Sequence, residues 1–155
     1  MRVRLLSVGT RMPEWIIAGV HDYARRLPPQ WAFALKEIPV SRRRPPDPEP
    51  GRIDEGERLL TALSGDTHVV ALDERGDHWR TAELAAKLNT WMQFGQDLTF
   101  MIGGPDGLSQ ACIERANERW SLSALTFPHA LVRVIVLEQL YRASTILRNH
   151  PYHRS

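Results

Sequence analysis

The sequence predicts an α/β fold, with a mostly parallel sheet of about five strands flanked by helices, in a single domain over 1–155. Three observations carry this reading. Short continuous apolar runs at 69–72 and 98–102 have the character of strands buried on both faces. Apolar positions at helical spacing separate those runs, so strands and helices alternate. A chain of 155 residues buries roughly two-thirds of its unfolded surface, enough to fold without a disulfide or a metal.

The elements follow in order. Residues 2–9 alternate before an apolar stretch and read as the first strand. Pro13 suits the first turn of a helix carrying Ile16, Val20, Tyr23 and Leu27, which Pro28 and Pro29 stop. Residues 33–40 are a second strand. Residues 41–51 hold three arginines and four prolines and predict a mobile loop without regular structure. Ile53, Leu59, Leu60 and Leu63 mark a second helix, and 69–72 a third strand. Leu84, Leu88, Trp91 and Met92 mark a third helix, with Thr81 as N-cap. A fourth strand at 98–102 ends at the turn Gly103-Gly104-Pro105-Asp106-Gly107. A helix over about 109–119, a short strand over about 122–126 and a long helix over about 128–148 complete the pattern.

The last helix is apolar on more than one face, with Leu131, Val132, Val134, Ile135, Val136, Leu137, Leu140, Tyr141, Ile146 and Leu147. Either it sinks into a deep groove of its own domain or it forms the seam of a homodimer.

Composition excludes several classes. The single cysteine, Cys112, rules out an internal disulfide framework and a multi-cysteine zinc site. No apolar run reaches the roughly 18 residues of a membrane span, and the charged N-terminus is unlike a signal peptide. A cytoplasmic protein is expected, with no membrane partner and no metal. The net charge of +2 is unevenly spread. Residues 1–52 carry ten basic and five acidic side chains, residues 53–120 six and twelve, and residues 121–155 four and one. Basic ends of this kind, almost all arginine, fit a polyanionic partner or solvated faces.

Common catalytic signatures are missing. Neither lysine, Lys36 or Lys87, follows a glycine-rich loop, and no Gly-x-Gly-x-x-Gly follows a strand. There is no His-Glu-x-x-His and no Gly-x-Ser-x-Gly. The six histidines lack metal-ligand spacing. What remains is the glycine turn after a buried strand. In open α/β sheets ligands bind beyond the carboxyl ends of the strands. Three such ends converge here, at Leu72-Asp73, at Gly103, and over Ser121 to Phe127. The small and apolar Leu122, Ser123, Ala124, Leu125, Thr126 and Phe127 suit a stackable ligand such as adenine, held by backbone groups.

More specific motifs occupy the C-terminal third. They run Ile102-Gly103-Gly104-Pro105-Asp106-Gly107-Leu108, Trp120-Ser121-Leu122-Ser123, Thr126-Phe127-Pro128-His129, Leu131, Arg133, Glu138-Gln139, Tyr141-Arg142-Ala143 and Pro151-Tyr152-His153. Val8-Gly9-Thr10, Glu55-Gly56-Glu57 and Leu72-Asp73 with Gly76 extend them upstream. In this order they resemble the ribosomal RNA large subunit methyltransferase H family, small members of the SPOUT methyltransferases. Residues 42–51 are the least family-like part.

The resemblance implies a deep trefoil knot near the C-terminus, an obligate homodimer, and S-adenosylmethionine bound at Leu72, Gly103 and Leu122 to Phe127. The implied reaction is methyl transfer to N3 of pseudouridine 1915 of 23S ribosomal RNA, on the assembled ribosome. A non-catalytic RNA-binding module on the same scaffold, or a SPOUT methyltransferase for another RNA, are the alternatives. The N3 imide proton must leave, so a general base is expected among His129, Glu138 and His153, with Arg142 as a further catalytic residue beside Glu138. His129 could instead cap the last helix, and Glu138 could be a helix-surface partner of Arg142 at i, i+4. Tyr152, His153 and Arg154 combine an aromatic ring, an imidazole and a guanidinium, and are read as RNA contacts.

Overall fold

A computed structural model describes residues 1–43 and 46–154, with side chains up to Tyr152. The side chains of His153 and Arg154, two of the expected functional groups, lie outside the described residues.

Five parallel strands form one sheet in the order β2-β1-β4-β3-β5. They are β1 (Val3–Val8), β2 (Ala34–Ile38), β3 (Thr67–His78), β4 (Asp97–Ile102) and β5 (Glu118–Ser121). The helices are α1 (Glu14–Ala24), α2 (Glu49–Ala62), α3 (Thr81–Phe94), α4 (Gln110–Arg115) and α5 (His129–Leu147). Because successive strand residues face opposite ways, neighbours in one strand enter different cores. Leu5, Val70 and Phe100 pack with residues of α3 and α5, such as Leu88 and Leu137. Leu6, Val69 and Met101 pack on the other face with Leu59 of α2 and Cys112 of α4. The result is a three-layer sandwich with α1, α3 and α5 on one side and α2 and α4 on the other. The central strands are covered on both faces, as their unbroken apolar runs require.

The sheet class and strand number match the expectation, while several boundaries move. The fifth strand lies at Glu118–Ser121, not at 122–126. Ser121 Oγ donates to the Ser123 carbonyl at 3.1 Å and Ser123 Oγ accepts the Leu125 N–H at 3.0 Å. Such local bonds hold 122–126 as a loop in competition with a ladder. The helix expected over 109–119 ends at Arg115. Asn117 then joins β3, with its N–H on the Val69 carbonyl at 2.8 Å and its Oδ1 on the Val69 N–H at 2.8 Å. α2 begins at Glu49, so the proline-rich stretch is partly helical; Pro50 fits the first turn, where no N–H bond is lost. Thr81 is the first residue of α3, after Arg80 as N-cap, and its hydroxyl instead donates to Gln139 Oε1 at 2.7 Å. Pro13 is the N-cap of α1, which ends at Ala24, ahead of Pro28 and Pro29.

β3 runs far beyond 69–72. Its register against β5 breaks between Leu72 and Asp77, both opposite Trp120, so residues 73–76 bulge outward beside the fifth strand. α5 resolves the question of its two apolar faces in part. Val136, Leu137, Leu140 and Ala143 are fully buried within the chain's own core, while Leu131, Val132, Val134 and Ile135 keep partial exposure.

Candidate active site

All strands are parallel, so β1, β2, β3, β4 and β5 deliver their carboxyl ends to one edge. There a cleft of about 880 Å³ opens, within the size range of small-molecule sites. Its floor is Leu72 and Asp73 from β3, Ile102 and Gly103 from β4, and Trp120 and Ser121 from β5. The loop after β5 supplies Leu122, Ser123, Leu125, Thr126 and Phe127, and α5 supplies His129 and Val132. Ala124 belongs to the same loop and is exposed, but it is not among the residues that line the cleft.

Gly103 is required by its own turn. A Cβ there would lie 2.5 Å from the Gly107 carbonyl carbon and 2.8 Å from Leu108 N. The turn closes on itself through the Gly107 N–H on the Gly104 carbonyl at 3.0 Å. The close approach is therefore backbone to backbone, and it presents the peptide groups of 103–108 along one wall. At the mouth, Arg52 Nη1 donates to the Asp106 carbonyl at 3.4 Å while Nη2 pairs with Glu49 at 2.5 Å. Asp73 and Arg119 approach to 3.6 Å on the opposite lip.

His129 opens α5 at the back of this cleft. A Cβ on Gly9, in the loop after β1, would stand 3.4 Å from His129 Nε2 and 3.6 Å from Arg133 Nη2. His129 and Arg133 thus converge on the same point of the β1 loop. Arg133, one helical turn on, is 1 % exposed. Its guanidinium donates to Glu37 Oε2 at 2.8 Å, Ser7 Oγ at 3.0 Å and the Gly9 carbonyl at 3.3 Å. This anchor ties α5 to β1 and β2, and fixes the turn that carries His129.

The remaining expected catalytic groups lie elsewhere in the protomer. Glu138 is nine residues beyond His129, roughly 13 Å along the helix axis. It binds Arg142 through Nε at 2.8 Å and Nη2 at 2.6 Å, the i, i+4 pair expected from spacing. Tyr152 joins them. Its hydroxyl donates to Glu138 Oε1 at 3.4 Å, and Arg142 covers its ring at 4.9 Å. Tyr141 packs against the same ring at 4.6 Å. Burial, then a hydrogen bond with Tyr23, pushes the Tyr152 phenol up to about 12, so it remains a donor throughout the neutral range. The Glu138 carboxylate raises the Arg142 pKa above its already high value. Tyr152 does not line the cleft, so the tail and the strand-end loops are separate features of one protomer.

Two groups entered the sequence reading only as members of motifs, with no role attached. Arg133 stood only as part of a motif, and its burial needed the tertiary fold to be seen. Glu55, 2 % exposed, accepts the Ser41 N–H at 2.8 Å and lies 3.2 Å from where a Gly104 Cβ would be. A carboxylate one turn before Leu59, on the apolar face of α2, was the available signal. Among the described residues no helix is long and apolar enough to cross a membrane, and no group of three or more His, Cys, Asp or Glu gathers as a metal site.

Comparison with known proteins agrees with this architecture. A family described as "Predicted SPOUT methyltransferase" matches residues 1–153. Ribosomal RNA large subunit methyltransferase H of Methylococcus capsulatus is 54 % identical over 155 residues, covering 99 % of this chain and 100 % of that protein. The protein of the same name from Alkalilimnicola ehrlichii is 53 % identical over 156 residues, covering 100 % of both chains. Among solved structures, a probable methyltransferase from Bordetella pertussis Tohama I shares the fold with a TM-score of 0.59 at 20 % identity, over 92 % of this chain and 95 % of that one. A probable methylase family protein from Haemophilus influenzae Rd KW20 gives a TM-score of 0.57 at 12 % identity, over 97 % of this chain and 69 % of that one. By matches that run nearly end to end, this chain belongs to the SPOUT methyltransferases and, among them, to the ribosomal RNA large subunit methyltransferase H family.

Proposed function

We propose that the protein transfers a methyl group from S-adenosylmethionine to N3 of pseudouridine 1915 of 23S ribosomal RNA, acting in the cytoplasm on the assembled ribosome. The observation that carries this is the strand-end cleft, built from Leu72, the Gly103 turn and the loop from Leu122 to Phe127. These are the positions at which family resemblance implies the cofactor. The donor set fits such a ligand: apolar side chains to hold a purine, and backbone groups of the glycine turn that lines the cleft to bond its polar edges. The cofactor would supply an activated methyl on a sulfonium, so the chemistry calls for no metal.

The residues then divide the work. Leu72 and Leu122 to Phe127 enclose the adenine end and exclude water, while the Gly103 turn orients it. His129, held by the Arg133 anchor, is the imidazole facing the cleft and the group best placed to receive the imide proton. Glu138, Arg142 and Tyr152 form a second constellation too far along α5 to meet His129 within one protomer. In a homodimer with α1 and α5 at its seam, the partner's copy of that group reaches the cleft. Two features support the seam: the partly exposed apolar side of α5, and Trp15 on the adjoining α1, which is 62 % exposed. His153 and Arg154 extend this constellation toward the RNA. We further infer the C-terminal trefoil knot from family resemblance.

Mass mapping of ribosomal RNA nucleosides from cells with and without the gene tests the reaction. The expected result is loss of N3-methylpseudouridine at nucleotide 1915 alone in the deletion. An unchanged nucleoside map sinks the proposal, and loss of methylation at another nucleotide reassigns the substrate.

A further inference from the structure

We propose that Arg42 and Arg43, in the arginine- and proline-rich loop before α2, form a phosphate-docking ledge for the ribosomal RNA beside the methyl-transfer cleft. The inference rests on the proposed RNA methyltransferase reading and adds to it a surface that catalysis does not use.

Topology puts the loop in the right place. β2 is parallel to the other strands, so the chain leaving Ile38 emerges at the same carboxyl edge that holds the cleft. The loop is also anchored to the cleft's own scaffold. Ser41, 3 % exposed, donates its N–H to Glu55 at 2.8 Å, and Glu55 lies against the Gly104 position of the glycine turn. The Arg43 N–H donates to Ser41 Oγ at 3.1 Å. A Cβ on Gly51 would stand 2.6 Å from the Arg43 carbonyl oxygen, so only glycine lets the loop lie this close to α2. The next residue, Arg52, lines the cleft mouth.

The side chains on this ledge differ from their neighbours. Arg52 and Arg58 of α2 are paired with Glu49 and Asp54. Arg42 and Arg43 are exposed, and among the described residues neither has a carboxylate partner. Two cations on backbone that is tied to Glu55 and Ser41 and lies against Gly51 suit phosphate oxygens, because little backbone freedom is lost on contact. Their role is positional: they contact backbone phosphates and carry no base readout.

The test uses the full chain and ribosomes from cells lacking the gene. Co-sedimentation is measured over a salt series, alongside methyl-transfer kinetics and cofactor titration. Arg42→Ala with Arg43→Ala is expected to make the slope of log affinity against log salt shallower by roughly 1.4–1.8, the contribution of two phosphate contacts. KM for ribosomes should rise by roughly tenfold, with kcat and cofactor affinity unchanged. Arg42→Lys with Arg43→Lys should restore most of the slope. Arg2→Ala with Arg25→Ala removes equal charge at the opposite edge of the sheet and should leave slope and KM alone. An unchanged slope in the alanine pair overturns the ledge, as does an equal change in the Arg2 and Arg25 pair. Wild-type protein that binds ribosomes with the ledge-dependent slope but transfers no methyl group sinks the enzymatic reading and leaves the ledge standing.

Discussion

Arg133 Nη1 lies 2.8 Å from Glu37 Oε2, joining a fully buried guanidinium on α5 to a carboxylate on β2 that is 38 % exposed. The asymmetry decides which partner is more costly to lose. Glu37→Gln leaves a buried cation without its countercharge, with an amide oxygen, Ser7 and the Gly9 carbonyl as its remaining acceptors, whereas Arg133→Met leaves a carboxylate that water can reach. We expect Glu37→Gln to destabilise the fold by about 1–3 kcal/mol, below the range for a fully buried pair because water reaches Glu37. Arg133→Met should cost less, since it removes the desolvated charge itself. Urea unfolding of both variants checks the order, and the reverse order would mean that the Ser7 and Gly9 bonds alone satisfy Arg133.

At the other edge of the sheet, Glu118 bonds Lys87 at 2.5 Å and His68 at 2.7 Å. Burial raises the Glu118 carboxyl, but the hydrogen bonds and charges of Lys87 and His68 outweigh it and hold the pKa below the ordinary 4.5. A carboxyl depressed on folding stabilises the native state at pH values above its unfolded pKa. That contribution fades as pH falls below 4.5 and is gone below the folded value. Wild-type protein should therefore exceed Glu118→Gln in stability near neutral pH, and the gap should close on acidification. A gap that stays constant down the acid limb would refute the linkage.

Gly103→Ala should disturb more than the ligand space. A Cβ 2.5 Å from the Gly107 backbone cannot be accommodated by rotating a side chain, so the turn itself must open. We expect a loss of about 1–3 kcal/mol, typical of overpacking, together with weakened cofactor binding. Calorimetric titration beside a thermal melt reads both. Lost binding with an unchanged melting temperature would show that the added methyl meets ligand and not backbone.

How much of this was legible follows from what each signal depends on. The buried strands at 69–72 and 98–102 announced themselves because both of their faces are covered, which leaves no polar alternation to confuse the reading. The cleft was legible as three strand ends, since parallel topology alone places them together. The β5 boundary was not: Leu122 to Thr126 read as strand, but Ser121 and Ser123 turn the chain through local hydrogen bonds. The separation of His129 from Glu138 and Arg142 was legible as well, because a helix predicted over about 128–148 rises about 1.5 Å per residue and sets them apart. What the sequence hid was the approach of Tyr152 to Glu138 and Arg142, which depends on how the chain turns back after α5.

For the proposed dimer, Val136 is unsuited as a probe. It is fully buried in the protomer core, so a charge there unfolds the chain whether or not a seam exists. Trp15 is exposed on α1, and Trp15→Glu should leave the protomer folded while shifting the dimer toward monomer. Sedimentation at micromolar concentration with circular dichroism separates the two effects. A variant that stays fully dimeric removes this part of α1 from the seam.

The tail supplies the sharpest division between cofactor and RNA. Tyr152 packs on Tyr141 and Arg142 and sits away from the cleft, so deleting residues 151–155 should leave S-adenosylmethionine binding nearly unchanged. Methylation of ribosomes should nevertheless be lost, because a stacking ring goes with two further polar side chains. Point variants refine the cause. Tyr152→Phe keeps the ring and gives up the hydroxyl's contacts to Glu138, at 3.4 Å, and to Tyr23, so it should retain most activity. Tyr152→Ala removes the stacking surface, worth about 1–3 kcal/mol per base, and should raise KM for ribosomes by roughly 5- to 150-fold at that energy. Because the phenol is pushed up to about 12, Tyr152 should add no ionisation of its own to the pH–rate profile below that value. Equal loss in the phenylalanine and alanine variants would point to the hydroxyl as the acting group, and joint loss of cofactor affinity in the truncation would place the tail inside the cleft.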